Sequence, residues 1–271
     1  MKNNSGSDIV MNYRTWGKSP YRVAAVHGGP GAPGSVAPVA RELSKTMGIL
    51  EPLQTKDTLE GQIEELREVL ENHATIPVTL IGHSWGAWLV YLTAARYPAL
   101  VKKLFLVGSG AFRQEYAESI VPERLKRLSE KERIESFNLI DIVNGDAAGD
   151  KDKSLARLGE LFAKADTYCA LPPEEGPEPL STSEEINRKV WPEGQALRTS
   201  GELLKIGRKI KCPIVAIHGD YDPHLAEGVR QPLANVLKDF RFILLEKCGH
   251  EPWVERYARD EFFRVLREEV G

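Results

Sequence analysis

Five residues constrain this chain more than any other stretch: Gly82-His83-Ser84-Trp85-Gly86, directly after the apolar run Pro77-Val78-Thr79-Leu80-Ile81. An apolar run, a glycine, a serine, a second glycine and then a helical apolar pattern predict a buried strand turning sharply into a helix, with the serine at the apex. So tight a turn holds the serine backbone in a strained conformation, and side chains at positions 82 and 86 would collide with neighbouring backbone. The turn lifts the hydroxyl of Ser84 above the sheet, at a helix start where backbone N–H groups can face an anion. The pattern G-x-S-x-G is a nucleophile elbow. Isolated, it also fits ordinary strand–helix turns, so its meaning depends on what accompanies it.

What accompanies it is an alternation of short β-rich runs with longer helical patterns. Strands are expected over residues 9–13, 22–26, 48–51, 78–81, 103–107, 214–217 and 242–245, most of them apolar on both faces. Central strands of a parallel sheet covered by helices on both sides look like this. Helices are expected over 58–72, 85–97 and 252–269, the first without a clean capping box at Thr58 and Gly61. The fold class is therefore α/β, with a mostly parallel, doubly wound sheet. Residues 112–210 break the rhythm, being rich in Glu, Lys, Arg and Leu and carrying the Pro-rich stretch 171–179. They are expected to form a helical cap, or lid, over the carboxyl ends of the strands, with 1–111 and 211–271 as the core. A helical bundle with no role at the site is the other reading.

With 271 residues, 42% of them hydrophobic, the chain can bury a large single core. A net charge of −3 gives no reason to expect nucleic acid or an anionic membrane as partner. No stretch approaches the roughly 18 apolar residues of a membrane helix, and the polar first residues do not read as a secretory signal. Three unpatterned cysteines, Cys169, Cys212 and Cys248, suggest buried thiols in a cytoplasmic protein rather than disulfides or a zinc site.

A serine hydroxyl needs a base, and the base needs an orienting group. His250 follows the strand expected over 242–245 in a Gly249-His250 loop, from which an imidazole can reach the serine. An acid could come from either carboxylate of His218-Gly219-Asp220-Tyr221-Asp222-Pro223, just past the strand expected over 214–217. Two oxyanion donors are expected: the backbone N–H of Trp85, and that of Gly29 in His27-Gly28-Gly29-Pro30-Gly31 after the strand expected over 22–26. That glycine run lacks the spacing of a phosphate loop. His27 is read as holding the loop, His73 as closing a helix, His83 as pointing elsewhere, His218 as packing at a strand end, and His224 as a solvated loop side chain, with a substrate contact as its alternative.

Taken together, His27-Gly28-Gly29-Pro30-Gly31, Gly82-His83-Ser84-Trp85-Gly86, the Gly219-x-x-Asp222 turn and Gly249-His250 resemble the α/β-hydrolase superfamily over most of the chain, the inserted segment excepted. The acid of that family usually stands third after the glycine of its turn, so the resemblance implies Asp222 rather than Asp220. The HGGPG form with Ser-Trp at the elbow looks most like the proline iminopeptidase branch, whose enzymes remove an N-terminal residue from small peptides and bind its amine with cap carboxylates. The chain departs from that branch in four places, one of them a short N-terminal region that implies a reduced first hairpin. Residues 49–58 run almost directly into the next helix, without the family's Asp-x-Arg-Gly-x-Gly-x-Ser loop. Ala87 follows the elbow where Gly or Ser is usual. None of Asp141, Asp166, Glu184 and Glu185 matches an amine-binding carboxylate. The expectation is a serine hydrolase of a small-molecule ester or amide, acting through Ser84, His250 and Asp222 with Gly29 and Trp85 as oxyanion donors and with no metal or organic cofactor. Its alternatives are an iminopeptidase-like aminopeptidase and a binding protein that kept the fold without catalysis. Its partner is a small molecule or short peptide.

Overall fold

The computed structural model of the protein describes residues 12–145, 147–172 and 180–270. Seven strands form one sheet: β1 (Tyr13–Trp16), β2 (Tyr21–Val26), β3 (Gly48–Pro52), β4 (Val78–His83), β5 (Val101–Val107), β6 (Ile214–Gly219) and β7 (Phe240–Leu245). Their order is β1-β3-β2-β4-β5-β6-β7, with only β1 antiparallel to its neighbour. Of the run expected over 9–13, Tyr13 begins β1 and Asn12 lies before it; residues 9–11 lie outside the described residues, as do 173–179 of the Pro-rich stretch.

Period-2 alternation sorts the strand residues onto two cores. Ala24, Val26, Leu80, Leu104, Leu106, Ile214 and Ala216 face one side. There they meet α2 (Leu59–His73) and α3 (Trp85–Arg96), through Leu59, Ile63, Leu66 and Leu70 of α2 and Trp88 and Leu89 of α3. Val23, Ala25, Ile81, Phe105, Val107, Val215 and Ile217 face the other, among residues of α1 (Ala37–Leu43) and the C-terminal helix. Every residue of α3 from Trp85 to Ala95 is buried, which explains its weak amphipathic pattern. Thr58 caps α2 by accepting from the Gly61 N–H at 3.0 Å.

Between β5 and β6 run α4 (Ile120–Arg127), α5 (Glu130–Asn144), α6 (Lys151–Ala165), α7 (Glu184–Thr199) and α8 (Glu202–Ile206). After β6 come α9 (Glu227–Ala234) and, past β7, α10 (Arg259–Val270). Neither α1 nor α9 was expected: each is short and carries a proline. The helix expected over 252–269 is also corrected. It divides into a single 3-10 turn at Pro252–Val254 and α10, because Glu255 leaves the helical path to accept three backbone N–H groups.

Candidate active site

In a parallel sheet the loops after the central strands all leave from one edge, and the register here aligns them. Val26 pairs with Gly82, His83 with Val107, Val107 with Ile217, and Gly219 with Leu245. The segments carrying Gly29, Ser84, Asp222 and His250 therefore emerge side by side.

Ser84 sits at φ 53°, ψ −114°, a left-handed conformation that a residue with a Cβ adopts only under constraint. Its N–H donates to the Val107 carbonyl at 2.9 Å, tying the turn to β5. A Cβ on Gly82 would run into the Gly86 carbonyl, and one on Gly86 into the carbonyls of Val26 and His27, so the elbow closes only with glycine at both places. No hydrogen bond joins the Ser84 hydroxyl to His250 among the described residues. The two residues are linked through a shared neighbour: the His83 ring packs 4.7 Å from the His250 ring, and its Nε2–H donates to the His250 carbonyl at 3.2 Å. Burial pushes the His83 imidazole well below its ordinary value, so it stays neutral.

His250 Nδ1–H donates to Asp222 Oδ2 at 2.7 Å, with the Asp222 side chain fully buried. Burial opposes charge on both groups. The imidazoles of His250, His224 and His218 nevertheless hold the Asp222 carboxyl well below its usual range, and the carboxylate in turn raises His250. Asp220 is engaged elsewhere: its Oδ1 accepts the Cys248 N–H at 3.1 Å and fixes the turn before Gly249. Asp222 Oδ1 accepts two further bonds, both at 2.8 Å, from the backbone N–H and the ring Nδ1–H of His224. His218 donates through Nε2 to the His224 carbonyl at 2.5 Å and stands 3.4 Å from Asp222 Oδ2. The reading of His224 as a solvated side chain is thus wrong: it is 8% exposed and stacks on His250 at 4.4 Å. The Asp222 side chain accepts the backbone N–H two residues on, an Asx turn that brings His224 back onto the carboxylate it follows.

The ring nitrogens of His27 lie 2.9 Å from the carbonyls of Gly28 and Leu53, and Gln54 Nε2 donates to the His27 carbonyl at 3.0 Å. The short connection after β3 therefore clamps the glycine loop. Within that loop Gly29 has φ +61°, and its carbonyl accepts the Ala32 N–H at 2.9 Å. Neither the Gly29 N–H nor the Trp85 N–H donates to a protein acceptor among the described residues.

The inserted helices reach this edge through polar contacts that the sequence did not reveal. Ser183 N–H donates to the Gly31 carbonyl at 2.7 Å and Asn187 Nδ2 to the Pro30 carbonyl at 3.2 Å. His250 N–H donates to the Asp166 carbonyl at 2.9 Å. Glu255, wholly buried, accepts from Tyr168 N–H at 2.7 Å, Cys169 N–H at 2.8 Å and Gly249 N–H at 2.8 Å, joining the inserted segment to the His250 loop. Of the acidic residues weighed as amine ligands, Asp166 is neutralised by the Arg124 guanidinium, Glu185 pairs with Lys189 at 2.7 Å, and Asp141 is exposed. Glu184 is buried, its Oε1 making no hydrogen bond but lying 3.5 Å from the Arg188 guanidinium, and it follows the residue that binds Gly31.

Known proteins with related chains agree with this architecture. A family model described as "Alpha/beta hydrolase family" matches residues 14–265. Proline iminopeptidase from Mycobacterium smegmatis superposes with a TM-score of 0.62 at 16% identity, over 95% of this chain and 93% of that one. The enol-lactonase from Burkholderia xenovorans LB400 gives 0.61 at 18% identity, over 94% of each chain. At these identities the likeness is one of fold. Among curated proteins, ethanol acetyltransferase 1 from Cyberlindnera fabianii is 31% identical over 72 residues, 27% of this chain and 21% of that protein. The chain's matches span about a fifth of the length of the curated relatives. No helix among the described residues is long and apolar enough to cross a membrane.

Proposed function

Because the chain belongs to the alpha/beta hydrolase family, we propose that it is a serine hydrolase cleaving an ester or amide bond of a small molecule through an acyl-enzyme. The observation that carries this reading is the buried 2.7 Å hydrogen bond from His250 to Asp222, set beside a serine in the strained elbow conformation. Ser84 attacks the acyl carbon as His250 Nε2 takes its proton. Asp222 holds the Nδ1–H tautomer and stabilises the imidazolium. The tetrahedral oxyanion is received by the N–H groups of Gly29 and Trp85, whose freedom from protein acceptors supports the role. His250 then returns the proton to the leaving group, and water attacks the acyl-enzyme by the same route in reverse. The inserted helices act as a cap, since they bind both the glycine loop and the His250 loop.

The test is labelling by a fluorophosphonate probe together with turnover of p-nitrophenyl acylates of graded chain length. Covalent labelling of the wild type, absent in Ser84→Ala, is expected. Labelling that survives the substitution would refute the assignment, and a wild type that neither labels nor turns over would favour a binding protein. One observation favours a second reading. Glu184 is buried next to the Ser183–Gly31 contact, and its Oε1 has no hydrogen bond and only a 3.5 Å ion pair to Arg188; exchanging that pair for the ammonium of a peptide substrate would be aminopeptidase chemistry. Hydrolysis of aminoacyl-naphthylamides faster than of short esters, lost in Glu184→Gln, would establish it.

A further inference from the structure

Asp222 offers two carboxylate oxygens, and only one of them serves His250. The other is occupied by His224, through its backbone N–H and its ring Nδ1–H, both at 2.8 Å. The His224 ring also lies against the His250 ring, with centroids 4.4 Å apart and planes 21° from parallel. His218 holds this arrangement from below, donating to the His224 carbonyl. Two stacked imidazoles thus donate in parallel to the two oxygens of one buried carboxylate.

Building on the triad reading above, we propose that His224 is a positioning residue that sets the basicity and ring plane of His250 by sharing Asp222 with it. A second neutral N–H donor disperses the carboxylate charge, so His250 holds its proton less tightly than it would if Asp222 faced it alone. Burial keeps His224 itself neutral, its imidazole pushed down to about 4, so it acts as a donor and adds no positive charge. A base held too firmly as imidazolium is unavailable to the serine at neutral pH, and the shared carboxylate prevents this.

Other groups also face His250. From the β4 turn comes neutral His83, from the inserted helices Asp166 with Arg124, and from its own loop Glu251, while His218 of β6 acts on it through Asp222 and Glu255 through Glu251 and the Gly249 N–H. Burial pushes the Glu251 carboxyl up to about 7, inside the range where His250 titrates. The readout must therefore resolve His250 itself, and NMR titration of its imidazole carbon does so without any substrate. His224→Phe keeps a flat ring for the stack and removes the ring donor. His224→Asn keeps a donor near the position of Nδ1 and removes the stack.

The expected result is that His224→Phe raises the His250 titration midpoint by about half a pH unit or more, a threefold or larger gain in proton affinity. The acid limb of kcat/KM should move upward with it, while KM changes little. His224→Asn should titrate as the wild type does. The proposal is overturned if His224→Phe titrates with the wild type, or if the Asn variant shifts as far as the Phe variant, which would leave packing as the whole effect. Should the phenyl ring not be accommodated, His224→Ala removes the donor with a smaller side chain and is read in the same way. A wild type that fails to label at Ser84 would defeat the hydrolase reading alone, because the titration decides the His224 question independently.

Discussion

Strand β5 buries Leu104, Phe105, Leu106 and Val107 almost completely, whereas the fifteen-residue helix α5 in the inserted segment buries only Ser136 and leaves Ile134 and Phe137 half exposed. The sheet is held by apolar area removed from water. Of the inserted helices, α7 and α8 send Val190 and Leu203 into the main core, whereas α4, α5 and α6 keep a small apolar cluster of their own, centred on Leu128, Leu161 and Ala165. Much of what ties them to the sheet at the site is polar: the Arg124–Asp166 pair, Arg127 donating to the Tyr221 carbonyl at 2.7 Å, and the three N–H groups on Glu255. One difference follows for experiment. Changes in the sheet should act on global stability, and changes at the inserted helices on local order and on the geometry of the site.

The largest effect is expected where neither regime applies. Ser84→Ala should lower kcat roughly 10⁴-fold or more, as should His250→Ala, because a triad acts as a unit. Thermal melting of Ser84→Ala should stay within about 2 °C of the wild type, since the variant keeps the backbone and the packing. Activity and stability should also respond to pH in opposite directions at His250. Attack on the substrate needs the neutral imidazole, so kcat/KM falls about tenfold per unit below the His250 midpoint, which lies above the ordinary value of 6.5. A raised folded-state value means the Asp222–His250 pair contributes stability that is complete below 6.5 and is lost as pH rises through that midpoint. The melting temperature lost in His250→Gln should accordingly be larger at pH 5.5 than at pH 9.

Within the sheet, Leu106→Ala should cost about 3–5 kcal/mol in urea unfolding, the full penalty of a cavity in a close-packed core. Leu161→Ala in the inserted helices removes the same atoms, but its small cluster can collapse more freely, and the low end of the range, about 2–3 kcal/mol, is expected. Equal losses would show that the small cluster is packed as tightly as the sheet and collapses no more freely. At the boundary between them, Glu255→Gln replaces a triple acceptor with a group that turns an amide donor toward backbone N–H groups, a local cost of about 2–3 kcal/mol. Faster hydrogen exchange at Tyr168, Cys169 and Gly249, with kcat/KM lowered about tenfold, would place Glu255 as the latch between the two regions. Unchanged exchange would deny it that function.

Legibility in the sequence divides along the same boundary. The strands, the elbow, the glycine loop and the positions of Asp222 and His250 could be read because apolar runs and glycines in tight turns leave short-range patterns. The period-2 sorting of Val23 to Val26 onto two faces is such a pattern. The choice between Asp220 and Asp222 was open to spacing alone, because it depends on which carboxylate the turn points at Cys248 and which at His250. Glu255, His224 and the Arg124–Asp166 pair left no signal, since a charged or polar residue looks the same in sequence whether it faces water or three buried N–H groups. Only the tertiary partner, 86 or 87 residues away for Glu255 with Cys169 and Tyr168, distinguishes the cases.

The smallest effect should come from the ion pairs on the outer face of the inserted helices, and it separates pairs that dock from pairs that decorate. Arg157 bonds Glu135 at 2.7 Å and Glu160 at 2.8 Å, and Lys164 lies against Glu132, all of them well exposed on the cationic side. Water screens such pairs, and ordering two long side chains offsets most of what their attraction provides. Arg157→Ala should therefore leave the melting temperature, the salt dependence of melting and kcat/KM at wild-type values within error. The Arg124–Asp166 pair has the same chemistry but is largely buried, and the Asp166 carbonyl holds the His250 N–H. Arg124→Ala strands a buried carboxylate beside the imidazole, so kcat/KM should drop several-fold and the His250 midpoint should rise. If the two arginine variants behaved alike, burial would not be what distinguishes the docking contacts from the rest of the inserted segment's charged surface.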